Sequence, residues 1–343
     1  MKLNVKPSSL QEKGEEMKIW YDACTGKHIR YGSAIGQRLR KAGHEFIFTT
    51  RRHPDTMPLA KILGEQPIVV GKYEPSTLAS RLKESSERII CFADMFKDNP
   101  PDVAIAHQSV ELCRTAFGLG IPIILTADTP HAEAVNRLTI PFAHTLVVPA
   151  ALPKKFAKQY CAKNTEPFNG VDEVAWIKDF KPLKINNFKK PLIVVRQVES
   201  KAAYAGGKKD LTQLVFKKLA KLGNIHYVER YNSEGEAFGS KGGFVDSASL
   251  VANADLVITY GGTISREAAL QGVPSIAISD MAKTYVNTYL SKKGFPLFIT
   301  TERKLLSHAE KYIGKKFDVK DKLMQLENPV DVIEKVVNRI KQP

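Results

Sequence analysis

The sequence predicts an α/β protein of two domains, each a mostly parallel sheet with helices on both faces. Three observations predict it. Short apolar strands alternate with amphipathic helices along most of the 343 residues. The alternation is interrupted by a stretch carrying Pro153, Pro167, Pro182 and Pro191 with no sustained strand pattern, the expected connection between domains. The length also exceeds what one hydrophobic core usually organises, so two units of about 150 residues are expected.

The elements follow in order. Met17–Asp22 reads as a short apolar strand, followed by a loop with Gly26 and a helical pattern over Tyr31–Lys41 that stops at Gly43. Strand, loop, helix and glycine stop are how a Rossmann-like unit opens. Strands are then predicted at Glu45–Thr49, Pro67–Val70, Val103–Ala106, Pro122–Thr126 and Thr145–Val148, with helices around Met57–Leu63, Pro75–Asp98 and Glu111–Gly118. After the proline-bearing connection, Leu192–Val195 opens a second sheet, continued by His226–Glu229, Leu256–Thr259 and Ser275–Ile278. Helices are expected at Leu211–Leu222, Ser247–Asn253 and Ile264–Gln271. Val332, Val336, Val337 and Ile340 recur at helical spacing and predict a last helix over Val330–Lys341. The expected divisions are a disordered extension at 1–16, a first domain at 17–180, a second at 181–328 and a final helix at 329–343.

Composition narrows the class. Hydrophobic residues make up 43% and charged residues 25%, ordinary for a globular protein. Met1–Glu16 is polar without an apolar core, so no signal peptide is expected, and no stretch approaches the ~18 apolar residues of a membrane span. A cytoplasmic location follows as an expectation. Cys24, Cys91, Cys113 and Cys161 are scattered singly, which predicts reduced thiols, and neither they nor the histidines have metal-ligand spacing, so no metal is expected. The net charge of +15 lies mostly in the second half: residues 17–180 hold 21 basic and 17 acidic side chains, a balance of +4, and residues 181–343 hold 27 and 16, a balance of +11. A basic half suits nucleic acid, an anionic membrane surface or a phosphorylated ligand. No nucleic-acid module is recognisable, so nucleic acid is not an expected partner.

The segment Ala254–Pro274 carries the strongest chemical signal. An apolar strand runs into Gly261, Gly262 and Thr263, and a helix starts at once. Unpaired amides at a helix start, with the helix dipole behind them, favour a phosphate, and glycine allows close approach. Glu267, one turn further on, is placed to accept hydrogen bonds from ribose hydroxyls. The same residues also fit a plain strand-turn-helix corner with Thr263 as N-cap. The turn Gly206-Gly207-Lys208-Lys209 lacks the form of a P-loop, so nucleotide hydrolysis is not expected.

On these residues the chain resembles known families. Phe244-Val245-Asp246, Ala254–Ile258, Gly261-Gly262-Thr263, Arg266-Glu267 and Gly272-Val273-Pro274 resemble the nucleotide-binding half of GT-B glycosyltransferases, and also UDP-N-acetylglucosamine 2-epimerase. Asp22–His28 and Lys41–Glu45 are similar to the opening of the peptidoglycan N-acetylglucosaminyltransferase, although Thr25-Gly26-Lys27-His28 is less glycine-rich. Ala116–Pro122, Asp128–Ala132, Pro141–Ala143, Val194–Arg196 and Gly261–Ala269 look like the largely archaeal family called domain of unknown function 354, over roughly Met17–Thr301.

The resemblance implies a GT-B fold: two Rossmann-like domains facing across a cleft, with the last helix crossing back to the first. It implies a nucleotide-diphosphate sugar as substrate, with no separate cofactor. Gly261, Gly262 and Thr263 would meet the diphosphate, Glu267 the ribose, the backbone near Phe244 and Val245 the base, and Arg196 would add charge beside the phosphates. On the acceptor side it singles out Asp128, His131 and His107 past strand ends, and residue chemistry adds His28 as a general base with Asp22 orienting it or itself acting as base. The implied reaction is glycosyl transfer, with sugar C2 epimerisation or non-catalytic sugar-nucleotide binding as alternatives. The acceptor is left open. A lipid-linked or polysaccharide acceptor fits such pathways, and the basic surface allows peripheral association with anionic lipid.

Overall fold

The computed structural model describes residues 16–74, 76–185, 188–196, 213–228, 246–278 and 284–340. The predicted N-terminal extension, apart from Glu16, and the predicted base-binding residues Phe244 and Val245 lie outside the described residues.

The first sheet is built from β1 (Lys18–Ala23), β2 (Glu45–Arg52), β3 (Ile68–Lys72), β4 (Val103–His107), β5 (Ile123–Thr126), β6 (Thr145–Pro149) and β7 (Thr165–Phe168). Its helices are α1 (Gly26–Lys41), α2 (Thr56–Ile62), α3 (Leu78–Phe96), α4 (Val110–Gly118), α5 (Glu133–Thr139) and α6 (Lys155–Gln159). A short helix, α7 (Val174–Ile177), follows in the connection. The second sheet comprises β8 (Leu192–Arg196), β9 (Asn224–Val228), β10 (Leu256–Thr259), β11 (Ser275–Ile278) and β12 (Leu297–Thr300). Around it lie α8 (Gln213–Leu219), α9 (Ser247–Ala252), α10 (Thr263–Leu270), α11 (Tyr285–Lys292), α12 (Leu305–Tyr312) and α13 (Lys320–Met324). The chain then enters α14 (Pro329–Ile340).

Every strand pairing described is parallel, in the orders β3-β2-β1-β4-β5-β6-β7 and β12-β11-β10-β8-β9. Parallel strands covered by helices on both faces become continuous apolar runs, as in β4, buried at all five positions. Each order reverses once, between β1 and β4 in the first sheet and between β8 and β10 in the second. Chain connections diverge to either side of such a point and leave a crevice at the carboxyl ends of the strands.

Three differences from the sequence reading have physical causes. The stretch read as lacking a strand contains β7, with Pro167 inside it. β7 pairs only with β6 at the edge of the sheet, where a missing N–H breaks no ladder. Helix α1 starts at Gly26, ahead of the predicted Tyr31. Its glycines look like breakers in sequence but are demanded by contact: a Cβ on Gly32 would stand 2.4 Å from the Tyr21 ring. β12, α11, α12 and α13 also extend the second domain through a segment where no element was predicted.

The last helix joins the first domain. Val330, Ile333, Val336 and Val337 are buried in one cluster with Ile19, Tyr21, Ile35 and Ile105. The chain thus leaves the second sheet and returns to seal the first.

Candidate functional site

The crevices of the two sheets face each other, as contacts between the domains show. Arg266, on α10, reaches Asp128 beyond β5 at 3.3 Å and Glu173 in the connection at 2.7 Å. In return Arg30, on α1, pairs with Asp246 at the start of α9 and lies 3.5 Å from Glu267 on α10. All six side chains are at least nine-tenths buried, so the two arginines act as reciprocal buried anchors.

On the second-domain side, β10 ends in Thr259 and the chain turns through Gly261 (φ 105°) and Gly262 (φ 99°) into α10. Gly262, at φ 99° and ψ −174°, occupies a region essentially confined to glycine, and it is the N-cap of α10. A glycine cap brings no side-chain oxygen of its own, so the helix start presents amides. Gly261 donates its amide to Thr259 Oγ1 at 2.9 Å, leaving the N–H groups of the first helical turn as donors for an anion. The alternative of Thr263 as N-cap does not hold, because Thr263 is already the first helical residue. Arg196 ends β8, one step beyond the Val195–Ile258 pair, and so flanks Thr259 at the reversal point.

Glu267 has a different role from the one expected. It is fully buried, with Oε1 accepting from Trp176 Nε1 at 3.0 Å and Oε2 from Ser247 Oγ at 2.9 Å, and Arg30 stands beside it. The helical twist points this carboxylate into the interdomain seam, where its oxygens are engaged before any ribose arrives.

The first-domain crevice is lined by side-chain charge. Lys27, in the first turn of α1, places Nζ 2.7 Å from Asp128 Oδ2 and 2.8 Å from Asp172 Oδ2. His107, at the end of β4, hydrogen-bonds Thr126 Oγ1 at 2.7 Å and lies 3.7 Å from Asp128 and 3.8 Å from Asp172. Burial, then the Lys27 charge, pushes the His107 imidazole well below its usual range, so it is neutral. Burial opposes ionisation of Asp128, but the Lys27 and Arg266 charges outweigh it and hold Asp128 well below the carboxylate range. Asp172 moves the other way: burial and the neighbouring Asp128 and Glu173 push it up to about 7 against the pull of Lys27. His107, Asp128 and Asp172 have the residue types of a metal site, as do Asp22, Cys24 and Glu111. Each trio already holds a cation of the chain, Lys27 in one and Arg88 in the other, which a metal ion would have to displace.

The remaining expected acceptor-side residues are placed otherwise. Asp22 is fully buried and locked: Oδ1 takes Arg88 Nη2 at 2.8 Å and Thr49 Oγ1 at 2.8 Å, and Oδ2 takes Ser109 Oγ at 2.6 Å. It anchors α3 to β1 beneath the crevice and is not placed as a base. His28 is half-buried with Nδ1 accepting the Cys24 N–H at 3.2 Å, which puts the proton of the neutral ring on Nε2. Burial, Lys27 and Arg51 push it down to about 3. With its lone pair engaged and its affinity for protons low, His28 is a donor in this site, not a base. His131 is exposed ahead of α5, whereas Asp128 is buried, so the two do not share one environment.

Sequence reasoning passed over Lys27, Arg30 and the Asp172–Glu173 pair as functional candidates. The available signal was an acidic pair set among Val171, Val174 and Ile177, a pattern that marks charge entering a core. Among the described residues no helix is long and apolar enough to cross a membrane, and all four cysteines are free.

Two parallel α/β domains with facing strand-end crevices define a GT-B fold, and comparison with solved structures agrees. The glycosyltransferase of kitacinnamycin matches 95% of this chain and 99% of its own at TM-score 0.57 and 14% identity. The spinosyn rhamnosyltransferase SpnG, solved with thymidine diphosphate, matches 94% and 100% at TM-score 0.54 and 12% identity. At such identities the likeness establishes the fold. The chain belongs to the family described as protein of unknown function DUF354, matched over residues 17–341. An uncharacterised protein of Methanocaldococcus jannaschii is 30% identical, covering 95% of this chain and 99% of its own.

Proposed function

We propose that the protein is a GT-B-type glycosyltransferase whose second domain binds a nucleotide-diphosphate sugar and whose first domain receives the acceptor. The observation that carries this reading is the β10–α10 turn. Two left-handed glycines and an N-terminal helical turn lie at the carboxyl end of the strand beside the reversal point of the second sheet. Backbone amides and the helix dipole there suit a diphosphate, and Arg196 adds charge at the neighbouring strand end. The fold shared with structurally similar glycosyltransferases, one of them solved with thymidine diphosphate, supports the same ligand class. Departure of the diphosphate would be stabilised by these preorganised donors, with no metal in the scheme.

Titration with uridine and thymidine diphosphates tests the reading. Saturation to about one hundred times Kd adds roughly 2.7 kcal/mol to the native state and raises Tm. No rise with either nucleotide would sink it. A second reading, sugar C2 epimerisation, draws on the clustering of Asp128, Asp172 and His107, since that reaction needs paired acid and base groups. Solvent deuterium entering the sugar without acceptor would favour it, whereas nucleotide released only with acceptor favours transfer.

A further inference from the structure

Glycosyl transfer needs a group that takes the proton of the attacking hydroxyl, and the geometry removes most candidates. Asp22 is bound by Arg88, Thr49 and Ser109, and His28 accepts a backbone N–H. Asp128 is engaged by Lys27, Arg266 and Thr129. Asp172 is different: Oδ2 meets Lys27 at 2.8 Å, while Oδ1 is buried with no hydrogen-bond partner among the described residues. The Tyr31 hydroxyl, on the α1 face toward Asp172, is likewise buried without one. Two carboxylates share a single ammonium, so a proton on one of them relieves the repulsion.

We propose, resting on the transfer reading above, that Asp172 is the general base of the reaction and takes the acceptor proton on Oδ1. In that step the acceptor oxygen bonds to the anomeric carbon. The bond from that carbon to the diphosphate oxygen breaks with its electron pair, and the acceptor proton passes to Asp172. Arg266 roofs the cluster from the second domain, so an acceptor enters when Arg266 lets go of Asp128. Its guanidinium stays tied to Glu173 at 2.7 Å and to Asn287 at 3.1 Å.

The groups facing Asp172 set its proton affinity. They are Tyr21 from β1, Lys27 and Tyr31 from α1, His107 from β4, Asp128 after β5, Arg266 from α10 and its neighbour Glu173. Burial and the two acidic neighbours raise it to about 7, close to the working pH at which a base is most effective.

The test uses Asp172→Asn in the full chain with UDP-N-acetylglucosamine as probe, water serving as the default acceptor. The variant should bind UDP within about twofold of wild type and release nucleotide about 100-fold or more slowly, with the acid limb of the rate profile gone. Carbon-13 NMR of the aspartate carboxyls should show one resonance titrating near neutrality, absent in Asp172→Asn and moved to higher pH in Lys27→Gln. Undiminished nucleotide release, or no neutral-range aspartate, overturns the assignment. Wild type that binds neither uridine nor thymidine diphosphate while showing this titration overturns the sugar-nucleotide reading and with it the role as base, leaving an unusually basic aspartate of another use.

Discussion

The strand ends of the two domains meet across one seam with opposite chemistry. The second domain offers backbone: a glycine turn, bare amides and a helix start. The first offers side chains: Lys27, His107, Asp128 and Asp172, buried and paired with one another. A backbone site is local, since glycine and a helix start suffice to make it. A side-chain site of this kind is assembled from β4, the β5 loop, α1 and the connection, and depends on all of them.

That contrast can be broken most forcefully at Arg266. Replacing it with Met strands Glu173 as a buried charge and leaves Asp128 with Lys27 alone, so urea unfolding should show a loss of about 3–5 kcal/mol. A loss under about 1 kcal/mol would mean that water already reaches the seam.

Gly262→Ala probes the backbone site and should cost less. The added Cβ meets no atom within 4 Å, so the penalty is backbone strain alone, about 1–3 kcal/mol. UDP affinity, followed by calorimetry, should fall because the turn relaxes away from its phosphate-facing form. Unchanged affinity would separate the glycines from the diphosphate.

Titration sharpens the comparison further. His28 is held at about 3 in the folded protein, against about 6.5 unfolded. Its contribution is intact above pH ~6.5 and is lost as the pH falls toward 3, with a slope of up to ~1.4 kcal/mol per pH unit. Asp172, raised to about 7, works with the opposite sign: its contribution is full below pH ~4 and is lost as the pH rises through 7. His28→Asn should therefore flatten the acid side of the Tm–pH curve, and an unaltered acid slope would refute the neutral ring.

A control lies outside both crevices. Arg38 joins α1 to Asp331 and Glu334 of α14 at 2.7 and 2.8 Å but is 38% exposed. Arg38→Ala should cost less than about 1 kcal/mol in the same urea assay, because the apolar face of α14 carries that junction.

Legibility differed between the two regions for a physical reason. The strands Glu45–Thr49, Leu256–Thr259 and Ser275–Ile278 were readable because covered parallel strands are short apolar runs, and the Gly261–Thr263 turn was readable because its conformation requires glycine. Pro167 hid β7, since a proline tolerated at a sheet edge looks in sequence like a loop. Glu267 looked like a ligand residue one turn past a phosphate site, and only the tertiary placement of Arg30, Trp176 and Ser247 gave its carboxylate another use.

The sequence by itself determined the alternation of strand and helix, the apolar face of the last helix and the glycine turn, all properties of residues near one another along the chain. Tertiary structure decided which charges meet. Lys27 and Asp172 lie in different elements far apart in sequence, and Arg30 and Arg266 find their acids only once the domains face each other. Burial then decides which of these groups holds a proton, because that depends on the water excluded and the charges gathered around each one.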